Sequence, residues 1–179
     1  MTILLLIVST VAGIVALLLI IALFMKREHY VKREITINAA RQKVFDYLRL
    51  IENQETFNTG AMADVDRKKE FKGTDGTVGY IYAWSGNKDA GEGEKEITNI
   101  IEGKRIEMEI RFVKPMVTSA EIILETESLP DGETKVSWSN AGSLKYPLNL
   151  MIPMVEKHVV KDLDVSLSTL KKVLEEGEG

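Results

Sequence analysis

PLNLMIPMVEKHVVKDLDVSLSTLKKVLEE, residues 147 to 176, is the stretch on which the fold turns. Its large apolar residues Ile152, Val155, Val159, Leu163, Leu167, Leu170 and Leu174 recur in steps of three or four, which draws one apolar stripe along a long C-terminal helix. Lys157, Lys161, Asp162, Asp164, Lys171 and Lys172 lie mostly off that stripe. A helix of this length does not stay in water with such a face uncovered, so the chain before it must supply the cover. Pro147 suits the first turn of this helix, and Pro153 is expected to kink it or to mark its true start.

The cover is legible upstream as a series of strands. Tyr30 to Ile37 alternates, with Val31, Ile35 and Ile37 on one side, and Asn38 offers an N-cap for a helix over Ala39 to Leu50. A short helical piece near Glu52 to Phe57 follows, ended by the breaker Asn58-Thr59-Gly60. Strands are then expected at Val65 to Phe71, polar and edge-like, and at Thr77 to Ser85, aromatic, with Gly73-Thr74-Asp75-Gly76 turning between them. Gly91 to Ile101, Lys104 to Val113, Val117 to Glu127 and Thr134 to Ala141 complete the series. Gly91 and Gly93 suggest a bulge, as a sheet curling around a helix needs. The fold class is therefore α+β.

Toward the N-terminus the composition changes. Ile3 to Phe24 holds no charged residue, and at ~1.5 Å per residue it makes ~33 Å of helix, enough for a hydrocarbon core of ~30 Å. The competing reading, a cleaved secretory signal, wants a basic start and a small-x-small site, whereas Met1-Thr2 is uncharged and Phe24-Met25-Lys26-Arg27 cleaves poorly. Residues 1–27 are thus expected to be a single-pass transmembrane anchor and 28–179 a separate domain. Lys26, Arg27, Lys32 and Arg33 follow the helix, so the positive-inside rule puts that domain on the cytoplasmic side of the cell membrane.

Composition removes several function classes. With a net charge of −4 and no basic stripe, nucleic acid is not an expected partner. The chain has no cysteine, which excludes disulfides, thiolate metal sites and a cysteine nucleophile. Only His29 and His158 are available as imidazoles, too few for a histidine-rich metal site. No metal and no cofactor are expected.

The order strand, two short helices, six strands and long helix resembles the START-like superfamily, and within it the bacterial polyketide cyclase/dehydrase and lipid-transport (SRPBCC) group. The likeness is carried by Val31-Lys32-Arg33-Glu34-Ile35-Thr36-Ile37-Asn38 leading into Val44-Phe45-Asp46-Tyr47, by Phe71-Lys72-Gly73-Thr74-Asp75-Gly76-Thr77-Val78-Gly79, and by Lys145-Tyr146-Pro147. It is most similar to members that carry one transmembrane helix before the domain. The resemblance implies a helix-grip fold, a curved antiparallel sheet around the C-terminal helix with a cavity between them.

On that fold the cavity lining is expected from Tyr80, Tyr82 and Trp84, from Met108, Ile110 and Phe112, from Ile122 and Leu124, from Trp138, and from Val155, Val159 and Leu163. Such a wall suits a hydrophobic small molecule or lipid. Met116, Met151 and Met154 are candidates for an adaptable mouth. Acid–base chemistry would need groups reaching inward. Glu94 and Glu96 share a strand face but read as solvated, His158 and Asp162 as an ordinary helical pair, and His29 as solvated. No catalytic residue is assigned. The leading expectation is a membrane-anchored binding module. The alternatives are a polyketide cyclase/dehydratase-type enzyme in the same cavity, or a protein-interaction domain with a closed core.

Overall fold

Alternation over most of the chain's middle dictates strands whose inner residues are apolar and whose outer residues are charged. A computed structural model of the protein describes residues 2–176; Met1 and residues 177–179, which the expected limits 1–27 and 28–179 include, lie outside the described residues. Helix α1 (Thr2–Phe24) precedes β1 (Glu28–Ile37), α2 (Arg41–Arg49), a 3-10 turn at Ile51–Thr56 and the short α3 (Thr59–Met62). Then come β2 (Lys68–Lys72), β3 (Ile81–Ser85), β4 (Glu92–Ile101), β5 (Arg105–Lys114), β6 (Thr118–Ser128) and β7 (Thr134–Ser143), and α4 (Ile152–Glu176) ends the series. The strands form one seven-stranded antiparallel sheet in the order β1-β7-β6-β5-β4-β3-β2.

This is the helix-grip fold. Leu163, Leu167, Leu170 and Leu174 of α4 are buried against Val31, Ile37, Val44, Phe45, Leu48, Leu124 and Val136 from the sheet and α2. Polar contacts fix the register of helix on sheet. The Asn38 N–H donates to a Glu175 carboxylate oxygen at 2.7 Å, Lys171 Nζ donates to the Thr36 carbonyl at 2.7 Å, and the Thr59 N–H donates to Ser166 Oγ at 3.0 Å. Register shifts between Glu92 and Gly93 and between Ile97 and Asn99 interrupt the β4–β5 ladder, the irregularity expected near Gly91 and Gly93, and such bulges bend a sheet.

Several local expectations are corrected. Asn38 does not cap α2; its N–H is engaged by Glu175, and the helix starts at Arg41 with Ala40 as N-cap. Asn58 is an N-cap and not a breaker, since its Oδ1 accepts from the Ala61 N–H at 3.2 Å and starts α3. The aromatic strand begins only at Ile81, because Gly76 and Gly79 take positive φ and the Tyr80 N–H turns back to the Thr77 carbonyl. Pro147 precedes a separate 3-10 turn, Leu148–Met151, and α4 starts at Ile152, so Pro153 falls in its first turn where no amide donor is missed.

Helix α1 is long and apolar enough to cross a membrane, and none of its most apolar window is buried in the protein. Length and composition of this kind are shared by spanning helices and signal sequences. Its end is tied to the rest of the chain: Asn149 Nδ2 donates to the carbonyls of Ala22 at 2.7 Å and Met25 at 3.2 Å, the Leu144 N–H donates to the Arg27 carbonyl at 2.8 Å, and Lys26 pairs with Glu156 at 2.6 Å. Because Glu28 pairs with Ser143 and the strands alternate in direction, the β3–β4 and β5–β6 turns share the sheet edge from which α1 leaves.

The grip makes a stability prediction. Leu167→Ala, at a side chain only 2% exposed, is expected to cost about 2–5 kcal/mol in urea unfolding, whereas Val165→Ala on the outer, 47% exposed face of the same helix stays within about 0.5 kcal/mol. Equal effects would mean that α4 is not gripped.

Candidate functional site

The apolar stripe of α4 meets the sheet unevenly. Ile152 at its start and the C-terminal half are buried, while Val155 and Val159 between them are only half-buried, as are Ile110 and Phe112 on β5. The space between is a cavity of about 370 Å³, within the range of ligand pockets and equal to about a dozen waters' share of bulk liquid. Ile122, Trp138, Trp84 and Leu163 complete the apolar wall, and Met116 stands at the end nearest the β5–β6 turn. The core is therefore not closed.

Of the twelve expected lining residues, Tyr82, Trp84, Ile110, Phe112, Ile122, Trp138, Val155, Val159 and Leu163 border this space. Tyr80, Met108 and Leu124 do not, and each is at most 2% exposed within the packed core. Tyr80 turns its hydroxyl to Glu52 at 3.1 Å, and Met108 receives the Gln54 Nε2–H on its sulfur at 3.6 Å. Strand alternation gave their face correctly, but α2 and the 3-10 turn cover that part of the sheet. Met116 borders the cavity; Met151 and Met154 are exposed outside it.

Two glycines in the sheet make room for rings. A Cβ on Gly93 would stand 2.5 Å from the Arg111 carbonyl and 3.0 Å from the Trp84 indole, and one on Gly142 would stand 2.6 Å from His29 Cε1. Trp84 is further fixed by its Nε1–H, which donates to the Ala90 carbonyl at 2.9 Å, and by the edge of Phe112 with ring centroids 5.8 Å apart. His29, expected to be solvated, is instead buried, and its ring Nε2 and Asn140 Oδ1 are 2.8 Å apart. Its Nδ1 and the Trp138 Nε1 are buried without a hydrogen-bond partner among the described residues, and both residues border the cavity.

The opposite flank is charged, through residues that the sequence reading passed over. Arg67, 7% exposed, reaches in from the loop before β2. Its Nε and Nη2 donate to the Tyr82 hydroxyl at 2.9 and 2.7 Å, its Nη1 to the carbonyls of Gly60 and Ala61 at 3.1 and 2.6 Å, and its Nη2 also to Glu55 at 2.5 Å. That occupies all five guanidinium donors. The Tyr82 hydroxyl donates in turn to Glu55 at 2.6 Å, and Lys69 pairs with the other Glu55 oxygen at 2.5 Å. Burial alone would raise the Glu55 carboxyl, but hydrogen bonds from Lys69 and Tyr82 and the Arg67 charge outweigh it and hold the group below the usual carboxylate range. Burial and the Glu55 hydrogen bond push Tyr82 up to about 12, so it stays protonated at neutral pH.

Lys95 differs from its neighbours on this flank. On β4 it faces inward with Gly93 and Ile97, whereas Glu92, Glu94 and Glu96 point out; Arg111 pairs with Glu94 at 2.7 Å and Glu96 at 2.6 Å, consistent with their expected outer position. The side chain is 7% exposed, and its Nζ donates to one neutral acceptor, Gln54 Oε1, at 2.6 Å. Burial, reinforced by the Arg67 charge and opposed by Glu55, lowers its pKa to about 8. The alternation that set the glutamates outside also set Lys95 inside, a signal present in the sequence. Arg67 and Glu55 lie in a loop and a 3-10 turn, where no periodicity announces a direction. His158 pairs with Asp162 at 3.1 Å on the exposed side of α4 at the cavity rim, and among the described residues no cluster of potential ligands could hold a metal.

Helix, curved sheet and intervening cavity define a helix-grip protein. Neither the scan against family models nor the search of curated proteins finds a match to this sequence. Solved structures do match in fold. The Aha1 dimer from Colwellia psychrerythraea superposes with a TM-score of 0.58 at 21% identity, over 84% of this chain and 99% of that one. Ara h 8.0201 gives 0.59 at 17% identity, over 84% and 97%. Norcoclaurine synthase from Thalictrum flavum, in complex with dopamine and hydroxybenzaldehyde, gives 0.65 at 10% identity, over 88% and 92%.

The inward lysine has a pH signature. Its pKa lies at about 8 in the fold against a reference of 10.5, so between those values the unfolded chain holds a proton the folded chain has released. Stability from this group therefore rises across that window, by an amount on the order of 3 kcal/mol. Tyr82 acts with the opposite sign, but only above its reference value of 10. Urea unfolding of wild type and Lys95→Met at pH 8 and pH 10 is expected to show wild type gaining on the variant; parallel curves would mean the ammonium is solvated.

Proposed function

We propose that this chain is a membrane-tethered binding module that holds a hydrophobic small molecule or lipid in its helix-grip cavity. The observation carrying this reading is the gap of about 370 Å³ beside the first turns of α4, walled by half-buried aliphatic and aromatic side chains. A packed protein does not leave such space without consequence, because lining atoms lose their contacts on one side. An apolar occupant restores those contacts and releases the water.

The tether reading rests on α1 and its surroundings. Phe24, Val117, Met154, Tyr146, Leu148 and Met151 are all exposed, and they belong to α1 itself or to segments entering or leaving the sheet edge from which α1 departs. Such a patch beside an apolar helix fits a surface resting on lipid. In this reading residues 1–27 anchor the chain, 28–179 form the binding domain, and the basic residues after the anchor hold that domain on the cytoplasmic face.

A second reading, an enzyme acting on a ligand in the same cavity, is favoured by the convergence of Glu55, Arg67, Tyr82 and Lys95. Against it stands their chemistry: Glu55 stays ionised, Tyr82 stays protonated, Arg67 is saturated with acceptors, and Lys95 has no acid or base partner in reach. Binding is the better supported reading.

Trp84 and Trp138 are the chain's only tryptophans, and both border the cavity. With the full chain in lipid nanodiscs, ω-bromododecanol and ω-bromododecanoate are offered, since bromine quenches indole only at contact. The expected result is saturable quenching with at least one of them, abolished when Val159→Phe fills the space; quenching that rises with probe concentration without saturating would remove the binding reading. In membranes of the expressing cells the intact chain should stay in the pellet through an alkaline carbonate wash, whereas a shortened, released chain would remove the tether.

A further inference from the structure

Lys95 is a buried cation that no carboxylate pairs with directly among the described residues. Three carboxylates border the same cavity without reaching the ammonium: Glu55 is taken by Arg67 and Lys69, Asp162 lies beside His158 on α4, and Asp89 is exposed on the β3–β4 turn. The ammonium has three donors and gives one of them to Gln54 Oε1 at 2.6 Å. Its cross-strand neighbours are Tyr82 on β3 and Ile110 on β5; the first is engaged with Arg67 and Glu55, and the second has nothing to accept. A charge out of water with one neutral acceptor is costly, and the cost falls sharply when an anion meets it.

We propose that the occupant of this cavity is an apolar monocarboxylic acid, its carboxylate held by Lys95 and its hydrocarbon body lying along Ile110, Phe112, Ile122 and Val159. The proposal rests on the binding reading above and specifies its ligand. One charged acceptor is what the Lys95 ammonium lacks: with Arg67 saturated, the second charge of a dianion would find no donor in the wall, and a neutral ligand would leave the ammonium as it is. Two carboxylate oxygens also suit the two N–H groups that Lys95 has not committed.

The decisive comparison uses the nanodisc-held full chain with ω-bromododecanoate, ω-bromododecanol and bromobenzoate, read by quenching of Trp84 and Trp138. A charge-assisted hydrogen bond to a buried ammonium should favour the long acid over its alcohol by at least about tenfold, and Lys95→Met, which keeps the apolar stem, should abolish the preference. Partitioning into the disc cancels between wild type and variant. Saturable but equal binding of acid and alcohol in wild type would overturn the carboxylate and leave the binding reading intact; no saturable quenching by any probe would overturn both. Tighter binding of bromobenzoate than of the long acid would assign the site to compact aromatic acids, and the reverse order to fatty-acid-like ones, either within the proposed class. A readout independent of the variant is the NMR titration of the Lys95 side chain in wild type: its midpoint, near 8 in the empty protein, should rise with the acid bound and not with the alcohol. An unmoved midpoint with the acid bound overturns the proposal.

Discussion

Everything in this protein depends on α4 being held to the sheet along only part of its length. A helix with one continuous apolar stripe would bury all of it if the facing surface were flat. Here the C-terminal half does so, at Leu163, Leu167, Leu170 and Leu174, because α2 and the 3-10 turn bring Phe45, Leu48 and Ile51 down onto the same core. The other half starts beside the edge where α1 leaves, and there the helix origin is set by the buried Ile152 together with Asn149, Leu144 and Lys26. The stripe remains apolar while the surface it faces recedes. The cavity is the difference between these two boundary conditions.

The architecture was largely legible in the sequence because two periods, 3.6 and 2, fill most of the domain without interruption. The long helix, the number and order of strands and the irregularity near Gly93 all follow from spacing. Differences fell where local chemistry decides: Asn38 and Asn58 are both plausible caps, but α2 starts only at Arg41 with Ala40 as N-cap, whereas α3 starts directly after Asn58, whose Oδ1 accepts from the Ala61 N–H. The cavity wall was legible to the extent that strand faces are, but three residues on the right face, Tyr80, Met108 and Leu124, sit under α2 and the turn after it. How far along a strand a lid reaches is set by the length and angle of other elements, which spacing does not encode. His29 shows the same limit, since Gly142 on the neighbouring strand gives it room to lie inward.

The polar side of the site obeys a different logic from its walls. Arg67, Glu55 and Tyr82 form a closed set in which every strong donor finds an acceptor, and such sets rigidify a structure at little net gain in stability. They hold the run between the 3-10 turn and β2, α3 included, against the sheet, tying Glu55 and the carbonyls of Gly60 and Ala61 to β3. Lys95 sits next to this set without belonging to it. Replacing it with an apolar residue of equal length would leave the wall intact and remove an energetic liability, so its presence opposes stability and calls for an explanation outside stability.

The two halves of the site then complement one another in physical terms. The apolar half attracts any greasy molecule and discriminates weakly, since each methylene contributes about 0.8 kcal/mol wherever it is buried. A single unpaired charge in a low-dielectric wall discriminates strongly, because its interaction with a ligand is barely screened and because leaving it unpaired costs more than the pairing returns in water. Placed at the end of an apolar slot, such a charge sets orientation as well as identity: the charged end of an amphiphile is drawn to β4 and its tail runs beneath α4 toward the edge where α1 departs. Under the proposed tether this is also the direction from which an amphiphile would enter, so the buried ammonium and the half-buried start of the helix would serve the same path.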